Sequence, residues 1–215
     1  MKTIKNLVAA CMLILPSLIT GNLFAQTAKD IFSSSETPIT YLGIDFSKAK
    51  LLGDAGADAY AIKTRIFSSI NQVVVNEPKK YDINKALQKT NVNSDISVTE
   101  AQNAKVEVDS IKSFNTADFS RFNAVTIDKM VKGYKFNAKS GIGMVFIVEA
   151  MSKTQDKAAV WVTFVNMANG KVLLTERMLG KAGGIGFRNY WVKPVGEIIE
   201  DIQKNKYKQW SATYR

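Results

Sequence analysis

Between Gly143 and Leu179 the chain carries three apolar runs in close succession: Gly143 to Met151, Ala158 to Met167 and Lys171 to Leu179. They are joined by the polar stretch Ser152 to Lys157 and by Asn169-Gly170. Each run has strand length and is rich in β-branched and aromatic residues, and Asn-Gly between two such runs is a strong short-range hairpin signal. The pattern predicts a C-terminal three-strand antiparallel meander. Its middle run, Ala159-Val160-Trp161-Val162-Thr163-Phe164-Val165, is apolar at odd and even positions alike. A strand of that kind cannot leave either face to water, so helices cover both sides of the sheet or one side meets a partner.

The rest of the chain supplies the helices. Ile62, Ile66, Ile70, Val73 and Val74 fall near one helical face, with Lys63 and Arg65 off it and Pro78 closing the segment. Asp82 is placed to cap a short helix carrying Ile83, Ala86 and Leu87. Thr126 is placed to cap another, with Ile127, Met130, Val131 and Tyr134, ending near Gly133 or Asn137. Val195, Ile198, Ile199 and Ile202 build a last helix with Pro194 in its first turn. Upstream, Leu42, Ile44 and Phe46 alternate with Tyr41, Gly43 and Asp45 as a strand that Ala49 to Leu52 extends, and Asp95 to Val98 reads as a weak strand. The order is that of an α+β fold, a mixed α/β sandwich. We expect one domain, residues 39–215, behind a flexible leader, residues 26–38, that contains Ser33-Ser34-Ser35 and Pro38.

The first 25 residues read as a cleaved signal peptide. Lys2 and Lys5 precede an apolar stretch from Leu7 to Ile19, and Leu23-Phe24-Ala25 forms the exit, which places cleavage at Ala25-Gln26. That stretch holds 13 residues and includes Pro16, against roughly 20 apolar residues for a membrane-spanning helix. A membrane anchor is therefore the weaker reading, and Cys11 belongs to the apolar run rather than to a lipidation site. The expected location is the periplasm or the exterior. The net charge of +10 falls to +8 without Lys2 and Lys5, and the remaining chain has no cysteine. A disulfide cannot staple it, and its stability must come from the core.

Composition also removes classes of chemistry. The chain has no histidine, so Ser-His-Asp and Cys-His catalysis are excluded, and the usual zinc and haem ligand sets are missing. We expect neither cofactor nor metal. Catalysis by paired carboxylates is still open. Glu149, in Ile147-Val148-Glu149-Ala150-Met151, is the acid best placed for burial, which would raise its pKa. The plainer expectation is that it sits near a strand end and points to solvent.

One segment invites a binding reading. Gly180-Lys181-Ala182-Gly183-Gly184-Ile185-Gly186 follows a strand and precedes a helix, where backbone N–H groups can meet an anion. Phe187-Arg188-Asn189-Tyr190-Trp191-Val192-Lys193 then interleaves aromatic and cationic residues. Gly183, Gly184, Gly186, Arg188, Tyr190, Trp191 and Lys193 are the candidate binding residues. The plainer account makes the glycines a structural turn, anchors Phe187 and Trp191 to the sheet, and leaves Arg188 and Lys193 solvated.

Phe24-Ala25-Gln26, Thr40-Tyr41-Leu42-Gly43-Ile44-Asp45-Phe46 and Ser140-Gly141-Ile142-Gly143-Met144-Val145-Phe146-Ile147 resemble uncharacterised exported proteins of Bacteroidetes. The strand-turn-strand-helix ending, with Ala168-Asn169-Gly170-Lys171-Val172-Leu173 as its turn, is more remotely similar to the TolB N-terminal domain and the curli secretion-channel lipoprotein. That resemblance implies a non-enzymatic role in envelope assembly and supplies no functional residues. The curli-type proteins are lipidated at a mature N-terminal cysteine that this chain lacks. The expected partners are another envelope protein or an anionic envelope glycan or lipid surface. Nucleic acid is not an expected partner of an exported chain, and the mature part has no expected transmembrane segment. A carboxylate-dependent glycan hydrolase and a polyanion or lipid-headgroup binder are the alternative functions.

Overall fold

The structure, a computed structural model, describes residues 26–215. The expected signal peptide, residues 1–25, lies outside the described residues. Along the chain, α1 (Ala28–Phe32), β1 (Ile39–Asp45) and β2 (Lys50–Leu52) come first. Next, α2 (Ala59–Ala61) passes through a π-helical turn at Ile62–Ile66 into α3 (Phe67–Asn76). Then follow α4 (Ile83–Ala86), β3 (Val92–Ser94), α5 (Ser97–Asn103), β4 (Lys112–Ser113) and α6 (Ala124–Lys132). The long strands β5 (Ile142–Ser152), β6 (Lys157–Asn166) and β7 (Lys171–Lys181) lead into α7 (Phe187–Asp201), which continues through a second π turn at Ile202–Lys206 into α8 (Tyr207–Tyr214).

Helices pack on a seven-stranded mixed sheet. β5 pairs antiparallel with β6, and β6 with β7. On its other side β5 is flanked by two strands placed end to end, β1 along Ile142 to Ile147 and β2 along Ala150 to Ser152, both parallel to it. β3 and β4 extend β1 and β2 outward, again in parallel.

Apolar side chains fill both faces. On one, Phe146, Val160 and Phe164 meet Ile70, Val74, Val195, Ile198 and Trp210. On the other, Val145, Ile147 and Val165 meet Val98, Ile127, Val131 and Tyr134. Helices therefore cover both faces of β6, as its doubly apolar sequence requires.

Four local readings differ from expectation. The leader segment is docked rather than free. Ile31 and Phe32 of α1 are fully buried, Phe32 lies edge-on to Tyr207 at 5.5 Å, and its carbonyl accepts from Arg215 Nε at 3.0 Å. Residues 95–98 lead through a turn into α5 at Ser97 instead of forming a strand, because Asp95 Oδ1 takes Ser97 N at 3.1 Å and Ser97 Oγ at 2.6 Å and turns the chain out of β3. Asn123, not Thr126, caps α6, accepting Thr126 N at 2.9 Å. The β6–β7 turn spans Met167 to Gly170, with Gly170 at φ +70° and its N–H on the Asn166 carbonyl at 2.8 Å.

Beyond Tyr41 the outer edge of β1 has no neighbouring strand, and helix side chains take that place. Asn71 Oδ1 accepts Ile44 N at 2.7 Å while its Nδ2 donates to Ile44 O at 3.0 Å. Asn103 Oδ1 accepts Phe46 N at 2.7 Å, and Thr99 Oγ1 donates to Leu42 O at 2.6 Å. Gly43 permits this approach. Its φ is +89°, and a Cβ there would lie 2.6 Å from Thr99 Oγ1 and 2.8 Å from Asn71 Oδ1.

Candidate functional site

The glycine-rich segment is shaped by Pro194. The last helix starts at Phe187, not near Pro194, so the proline lies in the interior of α7. Its missing N–H frees the Tyr190 carbonyl four residues earlier, and Gly183 N donates to that carbonyl at 3.3 Å. Gly180 lets strand and helix come together, since a Cβ on it would sit 2.3 Å from the Pro194 carbonyl oxygen. Gly186 ends the loop as the N-cap of α7, at φ +81°.

Because the helix starts early, Arg188, Tyr190, Trp191 and Lys193 stand on α7 rather than in a loop. They point to different places. Trp191 is buried, 4.9 Å from the Tyr190 ring and 6.2 Å from that of Phe187. Tyr190 receives Lys153 Nζ over its ring at 3.4 Å and donates its hydroxyl to Asp156. Lys153, Tyr190 and Trp191 line a hollow of about 240 Å³ with Gly184, Gly186, Asp54 and Phe187.

Gly183, Gly184, Arg188 and Lys193 line a larger cleft of about 900 Å³ on the other side of the glycine turn. Its opposite wall is the turn from Glu77 through Asp82 and Lys85, about a hundred residues earlier in sequence, where Pro78 has ended α3 and Asp82 caps α4 by accepting Lys85 N at 2.9 Å. Five cations and four carboxylates line the cleft. Lys80 pairs with Glu77 at 3.5 Å and Lys193 with Glu197 at 3.8 Å. Such interleaving leaves no contiguous basic face in the cleft. No local pattern in the sequence links the wall formed by Lys79, Lys80, Asp82 and Lys85 to the glycine segment.

Glu149 departs from the expectation that it faces solvent. The register of β5 on β6 jumps from Val148 opposite Val160 to Ala150 opposite Ala159, which makes Glu149 the extra residue of a bulge. Its side chain is completely buried. It accepts Arg177 Nε at 2.7 Å, Trp161 Nε1 at 3.2 Å and the Phe122 N–H. Arg177 Nη2 in turn donates to Phe119 O at 2.6 Å, tying the segment that leads to α6 onto the sheet.

No protein-family model matches the chain, and no curated protein is similar to it. The site therefore rests on its own geometry. A second buried acid, Asp45, accepts Tyr134 Oη at 2.5 Å and Ser47 N at 2.6 Å. Burial pushes its carboxyl above the usual carboxylate range, opposed by hydrogen bonds from Tyr134 and Ser47 and by nearby Lys48. Neither Glu149 nor Asp45 lines the cleft or the hollow. Among the described residues, no group of three acidic side chains is placed to hold a metal ion, and no helix is long and apolar enough to cross a membrane.

Proposed function

We propose that this protein is an exported, non-enzymatic envelope module that holds a partner in the cleft between α7 and the Glu77–Lys85 turn. One observation carries the reading: Gly183, Gly184, Arg188 and Lys193 share a wall of one cleft whose size falls within the usual range for ligand sites. Export rests on Lys2, Lys5, the apolar Leu7 to Ile19 run and the Leu23-Phe24-Ala25 exit. The envelope setting rests on the remote resemblance of the strand-turn-strand-helix ending to the TolB N-terminal domain and the curli secretion-channel lipoprotein.

The alternatives have less support. A carboxylate-dependent glycan hydrolase needs a general acid and a second free carboxylate facing one cleft. Glu149 spends its oxygens on Arg177, Trp161 and Phe122, and in the cleft Glu77, Glu197 and Glu200 are paired with lysines while Asp82 caps α4. A polyanion or headgroup binder would want cations without intervening acids, and this cleft mixes the two.

A photo-crosslinking residue at Arg188, with Val125 on α6 as the control position, tests the proposal in the cell that makes the protein. Val125 is exposed on the helix covering the opposite sheet face. A discrete adduct from position 188 and none from position 125 is the expected result. Equal labelling at both positions, or none at 188, would overturn the reading.

A further inference from the structure

Among the described residues six large apolar side chains are exposed, and one end of the sheet carries three of them: Tyr60 at 68%, Phe114 at 88% and Ile185 at 92%. Single exposed apolar residues are ordinary, whereas several gathered on one surface mark a site of contact. The strand registers show why these three share an end. Ser113 of β4 lies beside Leu52 of β2, Leu52 beside Ser152 of β5, Ser152 beside Lys157 of β6, and Lys157 beside Lys181 of β7. These residues form a row across the sheet, roughly 19 Å wide at about 4.8 Å per strand.

Phe114 follows Ser113 directly, Tyr60 stands in α2, the first helix after Leu52, and Ile185 lies just beyond Lys181. Contacts hold the loops of this end together. Lys112 Nζ donates to Ala55 O at 2.9 Å, and Asp54, Lys153 and Gly184 line one hollow. The loops at the opposite end, residues 33–38, 87–91, 133–141 and 167–170, carry none of the six.

The same end is basic. Lys153, Lys157 and Lys181 are exposed, and Lys157 and Lys181 stand directly opposite each other, a like-charge pair that destabilises the strands unless an anion meets it. Of the acids in these loops, Asp58 caps α2 by accepting Ala61 N at 2.9 Å and Asp156 accepts the Tyr190 hydroxyl. Asp54 alone is left to offset the lysines. Apolar tips set among ammonium groups match the boundary of an anionic bilayer, where apolar groups pass the headgroups and lysines stay among the phosphates.

We infer that this end of the molecule docks on an anionic lipid bilayer, with Tyr60, Phe114 and Ile185 entering the headgroup boundary and Lys153, Lys157 and Lys181 meeting lipid phosphates. The surface is distinct from the cleft, whose interleaved charges do not suit a headgroup, and the inference does not depend on the cleft holding a partner. Ile185 also stands on the cleft's rim, so docking brings that rim to the membrane.

The test uses the chain from Gln26 to Arg215, the whole described fold, so that residues 1–25 add no affinity of their own. Co-sedimentation is measured with vesicles of phosphatidylcholine containing phosphatidylglycerol and with vesicles of phosphatidylcholine alone. Binding to the anionic vesicles is expected, weakening as salt is raised. Phe114→Ser/Ile185→Ser should lower the partition coefficient about tenfold or more, and Lys157→Gln/Lys181→Gln about thirtyfold. Val125→Ser, on α6 and away from the row, should leave it unchanged. Absence of binding to the anionic vesicles, equal binding to both kinds, or an unchanged partition coefficient in Phe114→Ser/Ile185→Ser would each overturn the inference. A dimer in solution that Phe114→Ser/Ile185→Ser dissociates would overturn it in favour of a second copy of the chain.

Discussion

Asn71 on α3 pairs with both main-chain groups of Ile44, accepting its N–H at 2.7 Å and donating to its carbonyl at 3.0 Å, as a residue on a neighbouring strand would. The side chain is buried and also donates to Glu100 Oε1 at 2.9 Å. It lets β1 run inside the molecule past the end of β3.

Replacing it leaves one of those groups without water or partner. Asn71→Leu strands the Ile44 N–H, whereas the Ile44 carbonyl keeps Asn103 Nδ2 at 3.0 Å. One buried, unsatisfied donor costs about 1–3 kcal/mol. Urea denaturation should show a loss of that size, and a variant as stable as the parent would mean that water reaches the β1 edge.

The Glu149–Arg177 pair makes a second prediction. Arg177→Met leaves the completely buried Glu149 carboxylate without its counter-charge, a change that typically costs about 3–5 kcal/mol. The lower end is expected here, because the Arg177 side chain is 26% exposed and water can reach it. Adding Glu149→Gln to Arg177→Met should recover part of the loss by removing the stranded charge. A double variant less stable than Arg177→Met would contradict that account.

Gly180 and Gly56 form a matched comparison. A Cβ at Gly180 would lie within 2.3–2.7 Å of three Pro194 main-chain atoms, while one at Gly56 meets nothing within 4 Å. Gly180→Ala should push α7 off β7 and cost about 1–3 kcal/mol, as overpacking does, and Gly56→Ala should be close to neutral in thermal unfolding. Similar midpoints for the two variants would show that α7 moves freely over β7.

Two aspartates should shape the pH profile in opposite senses. Asp95, held by Lys139 at 2.8 Å and by Ser97, has its pKa lowered to about 2. Its contribution is present above the unfolded value near 4 and lost as pH falls through about 2. It should amount to less than about 1 kcal/mol, because the pair is partly exposed. Asp45 is raised by burial, so the folded state holds its proton more tightly, and stability falls as pH rises above about 4 towards the raised value. Asp45→Asn should flatten that fall, and Asp95→Asn should flatten the acid limb. Stability curves that remain parallel to the parent's would refute both assignments.

How far the sequence reached is clearest at particular positions. The doubly apolar Ala159 to Val165 run implied covered faces, and both are covered. Asp82 read correctly as a helix cap because capping is local. The expectation that Glu149 faces solvent fails because its cover comes from Trp161, Arg177 and the segment at Phe122, none of them its neighbour along the chain. Arg188 and Lys193 were picked out, but the turn that faces them was not, since nothing short-range connects Lys79 to Gly183.

By itself the sequence determined what depends on neighbours along the chain: strand runs, helix faces, caps, and the catalytic chemistries that a chain without histidine cannot perform. The tertiary structure decided what depends on neighbours in space. It made Gly180 a contact surface for Pro194, gave Asn71 the place of a strand, and brought the Glu77–Lys85 turn opposite α7. Residues far apart in sequence meet only after burial of both sheet faces has set the distance between the elements that carry them.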